Sequence, residues 1–214
     1  MQMNSPIISG RFIAVEGIDG GGKSTQAVLL ANWLNENGLE TILTREPGGT
    51  LLGEKLRHLI MDAELKCDKR AELLMILAAR AQHVHEKIMP ALKRGINVIC
   101  DRFTLSSLAY QGYGRGLTID EISSADRFAT AGLAPHFTVV LDLPMEIMIS
   151  RIGERSDRFE GEGLEFLSRI AEGYRDLAIK RFNTVLINGD APIDEVAACI
   201  RGIVCSHFGW GKVV

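Results

Sequence analysis

The sequence predicts a three-layer α/β fold in which helices cover both faces of a five-stranded parallel sheet. Five short apolar runs alternate with helical stretches, and this alternation is typical of parallel sheets with helical crossovers. The chain has 214 residues, of which 46% are hydrophobic, which suits one large globular domain over residues 1–214 with at most small insertions. A glycine-rich loop directly follows the first apolar run.

That first run, residues 12–15, is predicted to be a buried strand that leads into a phosphate-binding loop. Residues 17–24 fit G-x-x-x-x-G-K-[ST], the signature of the P-loop NTPase fold. Its glycines let backbone N–H groups point at phosphate oxygens, Lys23 reaches the β- and γ-phosphates, and the Ser24 hydroxyl can bind Mg²⁺. The residues expected to contact ATP here are Gly17, Gly20, Gly21, Gly22, Lys23, Ser24 and Thr25.

The alternative for this loop is a glycine-rich turn that binds nothing. The pattern arises by chance in roughly one chain in a hundred of this length. Its position between an apolar strand and an amphipathic helix argues against the chance explanation, and nucleoside triphosphate binding is the working premise.

The rest of the chain continues the alternation. Further strands are predicted at residues 40–44, 97–100, 138–143 and 184–187. Helices are predicted at residues 26–36, 51–61, 69–93, 118–131, 144–151, 164–180 and 193–204, with a shorter one through 106–111. Pro90 should kink or restart its helix, and glycines at 112, 114 and 116 should break the chain. Residues 52, 56, 59 and 60 form one apolar helix face, and residues 1–10 predict a loose lead-in.

Ligands of parallel sheets gather at the carboxyl ends of the strands. This rule brings Asp19, Arg45, Asp101 and Arg102 to one rim, although they are far apart in sequence. Asp101 directly follows a strand, which suits an outer-sphere role on Mg²⁺ bound at Ser24. Arg102 suits a second phosphate group, gripped by two hydrogen bonds. The alternative is a surface ion pair at a strand end.

Arginines are more numerous near this rim than one triphosphate requires. The four are Arg45, Arg57, Arg80 and Arg102. Each alone could be a solvated surface arginine. Together they indicate an acceptor that is itself phosphorylated, which distinguishes a kinase from a plain hydrolase.

Residues 153–163 are charged, punctuated by glycine and nearly free of apolar anchors. This composition predicts a short lid, at about residues 152–163, that closes over the triphosphate. Arg155 and Arg158, with Arg151 before them, would neutralise charge on the transferring phosphoryl group, an effect of about 10³–10⁵ in rate in related chemistry. Closure would also exclude water. The alternative is a solvated charged loop.

Composition excludes several classes of function. The net charge of −3 gives no global basic field, so neither nucleic acid nor a membrane surface is an expected partner. The four cysteines have no metal-binding spacing and predict buried free thiols in a reducing compartment. No apolar run approaches the length of a membrane span, and no signal peptide is evident, which predicts a cytosolic protein. The histidines form no metal pair.

Five motifs occur in a fixed order along the chain: EGIDGGGKST, TREPGGT, AARAQH, DRFTLSSLAYQGYGRG and DRFE. With this order and spacing, the chain resembles the thymidylate kinase family, phosphate-loop enzymes that convert dTMP and ATP to dTDP and ADP in dTTP synthesis. The resemblance runs from residue 12 to about the last helix. It is closest to the bacterial group whose lid supplies the catalytic arginines. It implies direct in-line transfer with Mg²⁺, and relatives are usually homodimers.

The resemblance also implies roles for particular residues. Catalysis would use Lys23, Arg102, Arg155, Arg158 and Asp19, which also contacts the deoxyribose 3′-hydroxyl. The residues expected around dTMP are Asp19, Arg45, Glu46, Pro47, Arg57, Ile76, Arg80, Arg102, Ser107, Tyr110 and Gln111. Among these, Glu46–Pro47 would be a cis peptide, Arg80 would bond the thymine carbonyl, and Tyr110 would pack under the sugar. Ala191 and Pro192 would lie beside adenine, and Ser24 and Asp101 would bind Mg²⁺.

One position departs from the family pattern. Relatives commonly place a phenylalanine that stacks on thymine where this chain has Ile76. Aromatic stacking contributes about 0.5–1.5 kcal/mol beyond area burial, so the loss would weaken base binding by about tenfold or less. One alternative is a kinase that prefers another nucleotide or a deoxynucleoside. An alternative from a different class is a nucleotide-controlled switch or regulatory ATPase without an acceptor, which would have to explain the second arginine-rich pocket.

Overall fold

The computed structural model describes residues 9–152 and 163–210. Its strands are β1 Phe12–Gly17, β2 Thr41–Arg45, β3 Asn97–Asp101, β4 Phe137–Asp142 and β5 Thr184–Asn188. Within the described residues they form one sheet in the order β2-β3-β1-β4-β5, and every neighbouring pair is parallel. The predicted sheet is therefore confirmed, with small shifts at the strand ends.

Helices cover both faces of this sheet. They are α1 Lys23–Glu36, α2 Leu51–Met61, α3 Lys69–His83, α4 Met89–Lys93, α5 Thr104–Ser107, α6 Ile119–Ala129, α7 Met145–Ile152, α8 Leu164–Ile179 and α9 Ile193–Phe208. The central strand β1 is buried along its whole length. Ile13 and Val15 pack with α1 and α9, whereas Phe12 and Ala14 pack against Ile88 and its neighbours on the other face. This two-sided burial explains why β1 is an unbroken apolar run.

The predicted helix at residues 69–93 is continuous but changes its hydrogen bonding in the middle. Between α3 and α4, Val84–Ile88 is π-helical, and the Met89 N–H bonds to the Val84 carbonyl five residues back. Pro90 has no N–H, and its ring crowds the carbonyl four residues earlier, so the wider turn accommodates the proline. The interruption therefore lies before Pro90 rather than at it.

The predicted apolar face of α2 is only partly buried. Ile60 is buried and Leu56 packs partly against the core. Leu52 and Leu59 belong to the same predicted apolar face but are 45% and 48% exposed. Helical spacing places side chains on one side of a helix, but it does not say what covers that side.

The predicted break at three glycines is also corrected. Helix α5 continues into a π-helical segment, Leu108–Gly114, which includes Gly112 and Gly114. A methyl group on Gly114 would lie 2.7 Å from the Phe166 ring, so that glycine permits close packing. The chain turns only at Gly116, where φ is +71°.

Three further expectations concern the lid, the lead-in and the cysteines. The predicted lid with Arg155 and Arg158 lies in residues 153–162, outside the described residues, as do residues 1–8 of the lead-in. Gly10 is buried and its N–H bonds to the Leu92 carbonyl at 3.1 Å, so the end of the lead-in is not loose. No disulfide joins any of the four cysteines, all of which lie in the described parts of the chain; Cys100 is buried, whereas Cys199 is exposed.

Candidate nucleotide site

The phosphate loop connects β1 to α1 at the carboxyl edge of the sheet. At Gly17 φ is +132°, and a methyl group there would lie 2.4 Å from the Leu141 carbonyl oxygen on the neighbouring strand. Gly22 precedes α1 in the left-handed conformation, with φ at +82°. No acidic side chain lies in the first turn of α1, so the positive end of its dipole is available to an anion.

Lys23 lies inside this loop. Its Nζ donates to the Ile18 carbonyl oxygen at 2.7 Å and lies 3.5 Å from Asp19 Oδ1. Burial lowers the pKa of Lys23, Arg102 lowers it further, and Asp19 opposes both effects. A bound phosphate would add further negative charge beside this lysine.

Ser24 and Asp101 form the predicted metal pair. Ser24 Oγ donates to Asp101 Oδ2 at 2.5 Å, which joins the start of α1 to the end of β3. Asp101 Oδ1 is buried and has no hydrogen-bond partner among the described residues. A hydroxyl and an unsatisfied carboxylate oxygen are hard oxygen donors, the class that Mg²⁺ takes, so the residues present fit the ion.

Arg102 connects the phosphate loop to the neighbouring cavity. Its NH2 donates to Asp19 Oδ1 at 2.5 Å and to the Tyr110 hydroxyl at 3.0 Å, and the guanidinium lies over the Tyr110 ring. Tyr110 in turn donates to Asp19 Oδ2 at 2.6 Å. Burial alone would raise the pKa of Asp19, but Arg102 and Lys23 lower it below its ordinary value. The backbone of Arg102 has φ of +70°, an uncommon conformation for a non-glycine residue.

Glu16 helps to position Arg102 through two hydroxyl groups that contact both side chains. The sequence did not lead us to expect this role. Its Oε1 accepts from the Phe103 N–H at 2.8 Å, and its Oε2 accepts from Ser106 Oγ at 2.5 Å and from the Tyr174 hydroxyl at 3.3 Å. Arg102 NH1 contacts both hydroxyls. Burial raises the pKa of Glu16. The sequence did carry a signal for Glu16, because a carboxylate within an apolar strand must have a buried partner. No local feature of the sequence marked Tyr174 as part of the site.

A cavity of about 110 Å³ opens beside Asp19 and Arg102. Of the residues predicted to bind dTMP, those that line it are Asp19, Glu46, Pro47, Arg57, Ile76, Arg80, Arg102, Ser107, Tyr110 and Gln111. The Glu46–Pro47 bond is cis, as predicted. Arg57 donates to the Pro47 carbonyl oxygen at 3.0 Å. Arg45 does not line the cavity: it pairs with Glu54 at 3.0 Å and is about half exposed.

Arg80 is 1% exposed and held on three sides. It donates to Glu46 Oε2 at 2.6 Å, to Asp126 Oδ1 at 2.5 Å and to the Phe103 carbonyl oxygen at 3.0 Å. Burial alone would lower the pKa of Arg80, but the two carboxylates raise it. His83 Nδ1 lies 2.9 Å from Glu46 Oε1 and fixes that carboxylate in turn. The sequence analysis missed Asp126, because an acid on an amphipathic helix is ordinarily solvated.

Polar groups remain available at the inner end of this cavity. Ser107 Oγ is buried and has no hydrogen-bond partner in the described parts of the chain. Gln111 Nε2 donates to Glu72 Oε1 at 2.9 Å. Ile76 provides an apolar wall and is 8% exposed. The cavity therefore combines an apolar side with fixed hydrogen-bonding groups, as sites for flat polar rings do.

Another cavity, of about 310 Å³, is lined in part by the phosphate loop. Gly20, Gly21, Gly22, Thr25, Arg151, Gly189 and Ala191 are among the residues that line it. Arg151 NH1 donates to the Gly189 carbonyl oxygen at 3.1 Å, and Pro192 caps α9 next to Ala191. The phosphate loop thus contributes to both cavities, through Asp19 to the smaller one and through Gly20, Gly21 and Gly22 to this one.

No helix in the described parts of the chain is long and apolar enough to span a membrane.

Comparisons with known proteins agree with this geometry. A sequence-family model described as thymidylate kinase matches residues 15–200. Thymidylate kinases from Synechococcus sp. and Thermosipho africanus are 48% and 45% identical, over 90% and 92% of this chain and 94% and 98% of their own lengths. That of Neisseria gonorrhoeae is 42% identical over 93% of this chain and 98% of its own.

A solved structure gives the same result. The crystal structure of thymidylate kinase from Ehrlichia chaffeensis superposes with a TM-score of 0.76 at 35% identity, covering 92% of this chain and 98% of that one.

Proposed function

This chain belongs to the thymidylate kinase family and phosphorylates dTMP to dTDP with ATP, and we propose that it does so by direct in-line transfer across the Lys23–Asp19 junction. The observation that carries this proposal is the position of Asp19. One carboxylate lies 3.5 Å from Lys23 of the phosphate loop and 2.5 Å from Arg102 of the neighbouring cavity. A donor on one side and an acceptor on the other would thus meet end to end.

The triphosphate of ATP would occupy the loop. Backbone N–H groups from Gly20 to Thr25 and the start of α1 would bind its phosphates, and Lys23 would turn from the Ile18 carbonyl to the β- and γ-phosphates. Adenine would extend into the 310 Å³ cavity beside Ala191 and Pro192.

The acceptor would occupy the smaller cavity. Arg102 and Arg57 would bind the dTMP phosphate, Asp19 the 3′-hydroxyl, and Arg80, Ser107 and Gln111 the thymine edge. Tyr110 would pack against the sugar. Arg45 lies outside the cavity, where its guanidinium pairs with Glu54. It would act on the acceptor phosphate from that position. Because a phosphate monoester is already ionised near neutral pH, no general base is needed.

Ser24 and Asp101 would hold Mg²⁺, and the unsatisfied Oδ1 of Asp101 supports this assignment. The ion would supply neutralisation of charge on the β- and γ-phosphate oxygens. Arg155 and Arg158 would add positive charge from the lid. That part of the proposal rests on the sequence, because residues 153–162 lie outside the described residues.

A homodimer and a reducing, cytoplasmic location complete the proposal. Exposed leucines on α2 and α3 and an exposed phenylalanine on α6 support a subunit interface on that side. The four free thiols support a reducing compartment. We also take residues 1–214 as one domain with a short lid at about residues 152–163.

A coupled assay of ADP release across dTMP, dUMP, dCMP, dGMP and thymidine tests the assigned acceptor pocket. We expect dTMP to have the highest kcat/KM, and thymidine, which lacks the phosphate that Arg102 and Arg57 would bind, to be a poor acceptor. ATP hydrolysis that no nucleoside monophosphate accelerates would contradict the proposal.

A further inference from the structure

Gln26, in the first turn of α1, has one satisfied and one unsatisfied end. Its side chain is 4% exposed, and Nε2 donates to the Ile193 carbonyl oxygen at 2.9 Å. Oε1 is buried and has no hydrogen-bond partner among the described residues. Because the Ile193 oxygen can only accept, the amide must direct its NH₂ group there, and this fixes Oε1 as the free end.

The same side chain lines the 310 Å³ cavity together with the phosphate-loop glycines, Ala191 and Ile193. That volume lies within the range of about 300–1,000 Å³ usual for small-molecule sites. If phosphates occupy the loop at one end, the base of the same nucleotide must occupy the remaining space. Gln26 and Ile193 bound that space from α1 and from the start of α9.

A buried oxygen without a donor is unfavourable, and a ligand that brings an N–H group to it is correspondingly preferred. Adenine carries an exocyclic 6-amino group, a donor, where guanine carries a carbonyl oxygen, an acceptor. We propose that Gln26 Oε1 accepts a hydrogen bond from the 6-amino group of ATP and thereby determines the specificity for the phosphoryl donor. This inference rests on the proposed placement of ATP in the 310 Å³ cavity.

The test compares ATP with purine riboside triphosphate, which lacks only the 6-amino group, and with GTP. With dTMP saturating, we expect kcat/KM of the wild-type enzyme to be about tenfold or more higher with ATP than with purine riboside triphosphate. GTP should be poorer still, because two carbonyl oxygens would face each other. The difference should lie mainly in KM, because the base is remote from the transferred phosphoryl group.

Gln26→Met keeps the length of the side chain and removes the acceptor. In this variant kcat/KM should be about the same with ATP as with purine riboside triphosphate. A merely structural role for Gln26 would lower the activity with both donors equally and leave their ratio unchanged. Gln82→Met is the matched control: Gln82 bonds to Glu86 on the surface of the α3–α4 region, and its loss should leave the ratio at the wild-type value.

Equal use of ATP and purine riboside triphosphate by the wild-type enzyme would overturn the inference, as would an unchanged ratio in Gln26→Met. Either result would mean that Gln26 Oε1 does not bind the 6-amino group, and would leave the proposed phosphoryl transfer intact. Failure of the proposed function would instead appear as no dTDP formation from dTMP with any of the three donors. If Gln26→Met does not fold, the wild-type donor series alone decides.

Discussion

At the scale of single residues, the charged side chains of the site are held in place by ion pairs and hydrogen bonds to one another. Arg102 occupies a left-handed backbone conformation, which costs on the order of 1–3 kcal/mol and persists only where surrounding contacts fix it. Asp19, Tyr110, Ser106 and Tyr174 provide those contacts. The guanidinium is therefore positioned in advance, so little side-chain entropy would be lost when it binds a phosphate.

Lys23→Ala should lower kcat by about 10²–10³ or more, because it removes the cation that would stabilise charge on the β/γ-phosphates. The measurement is steady-state ADP release with saturating ATP and dTMP. Lys93→Ala, an exposed lysine on α4, is the control and should keep wild-type activity. Turnover by Lys23→Ala within tenfold of the wild-type rate would contradict the assigned role.

Asp19→Asn tests the buried charge cluster through its pH dependence. Burial opposes ionisation, but Arg102 and Lys23 lower the pKa of Asp19 below its ordinary value of 3.8. The carboxylate therefore stabilises the fold above about pH 3.8, and this contribution is lost as pH falls through the folded-state pKa. We expect Asp19→Asn to lower the free energy of unfolding by about 1.5–3 kcal/mol at pH 7.

This deficit should shrink when denaturant unfolding is repeated below pH 3.8, because the wild-type carboxylate is then increasingly protonated in the unfolded state. A deficit that stays constant between the two conditions would mean that Asp19 acts by shape rather than by charge.

Ile76→Phe should tighten acceptor binding. Ile76 lines the smaller cavity, and an aromatic ring there would contribute about 0.5–1.5 kcal/mol of stacking on the base, up to about tenfold in KM for dTMP. Ile76→Leu, similar in volume and without a ring, should change KM by less than about threefold. An unchanged or higher KM in Ile76→Phe would show that the base does not lie against this position.

At the scale of elements, the close approach of α8 to the π-helical segment Leu108–Gly114 brings Tyr110 and Tyr174 together. Their ring centroids are 6.4 Å apart, and both hydroxyls contact Arg102. Gly173 permits this approach, since a methyl group there would lie 2.6 Å from the Tyr113 ring. Neither segment could have been docked from the sequence, because the contact depends on the shape of both partners.

Gly173→Ala should therefore lower the free energy of unfolding by about 1–3 kcal/mol, the usual cost of overpacking. Gly202→Ala, in the middle of α9, is the matched control. Among the described residues, no atom other than those of its chain neighbours and its own helix backbone lies within 4 Å of the point that its new methyl group would occupy, so the better helix propensity of alanine should raise stability by about 0.5–1 kcal/mol. Equal effects in the two variants, measured by denaturant unfolding, would contradict this packing account.

At the scale of the whole molecule, one side carries apolar side chains that the described residues do not cover. Leu59 on α2, Leu74 on α3 and Phe128 on α6 are 48%, 62% and 89% exposed, and α3 packs between the other two helices. Single exposed apolar residues need no explanation, but several on adjacent helices indicate a binding surface. The proposed homodimer would cover this side, and a two-fold interface would use the same patch on both subunits.

Leu74→Glu should convert the dimer to a monomer in light scattering coupled to size-exclusion chromatography, because two buried unpaired carboxylates would face each other across the axis. Ile179→Glu, also exposed at 83% but on α8, should leave the dimer intact. A wild-type protein that is monomeric at micromolar concentration would contradict the proposed assembly outright.

The fold class and the strand positions were predictable, because both depend on short-range features. Most of the cavity lining was implied by the resemblance to the family, whose motifs are also contiguous in sequence. The strand–loop–helix around Lys23 is contiguous in sequence, and Tyr110 and Gln111 lie in one motif. Other features depend on distant parts of the chain. The exposure of Leu52 and Leu59 and the pairing of Arg45 with Glu54 outside the cavity follow from tertiary packing, which no local pattern gives.

The sequence by itself determined which chemical groups this protein has and the local backbone that carries them, because periodicity and glycine placement act over a few residues. Only the tertiary structure decided how those groups pair. Asp126 reaches Arg80 across 46 residues, and Glu16 reaches Ser106 across 90. Such pairs form where parallel strands end together and helices cross, and no local pattern in the chain encodes which distant side chain fills a given hydrogen bond.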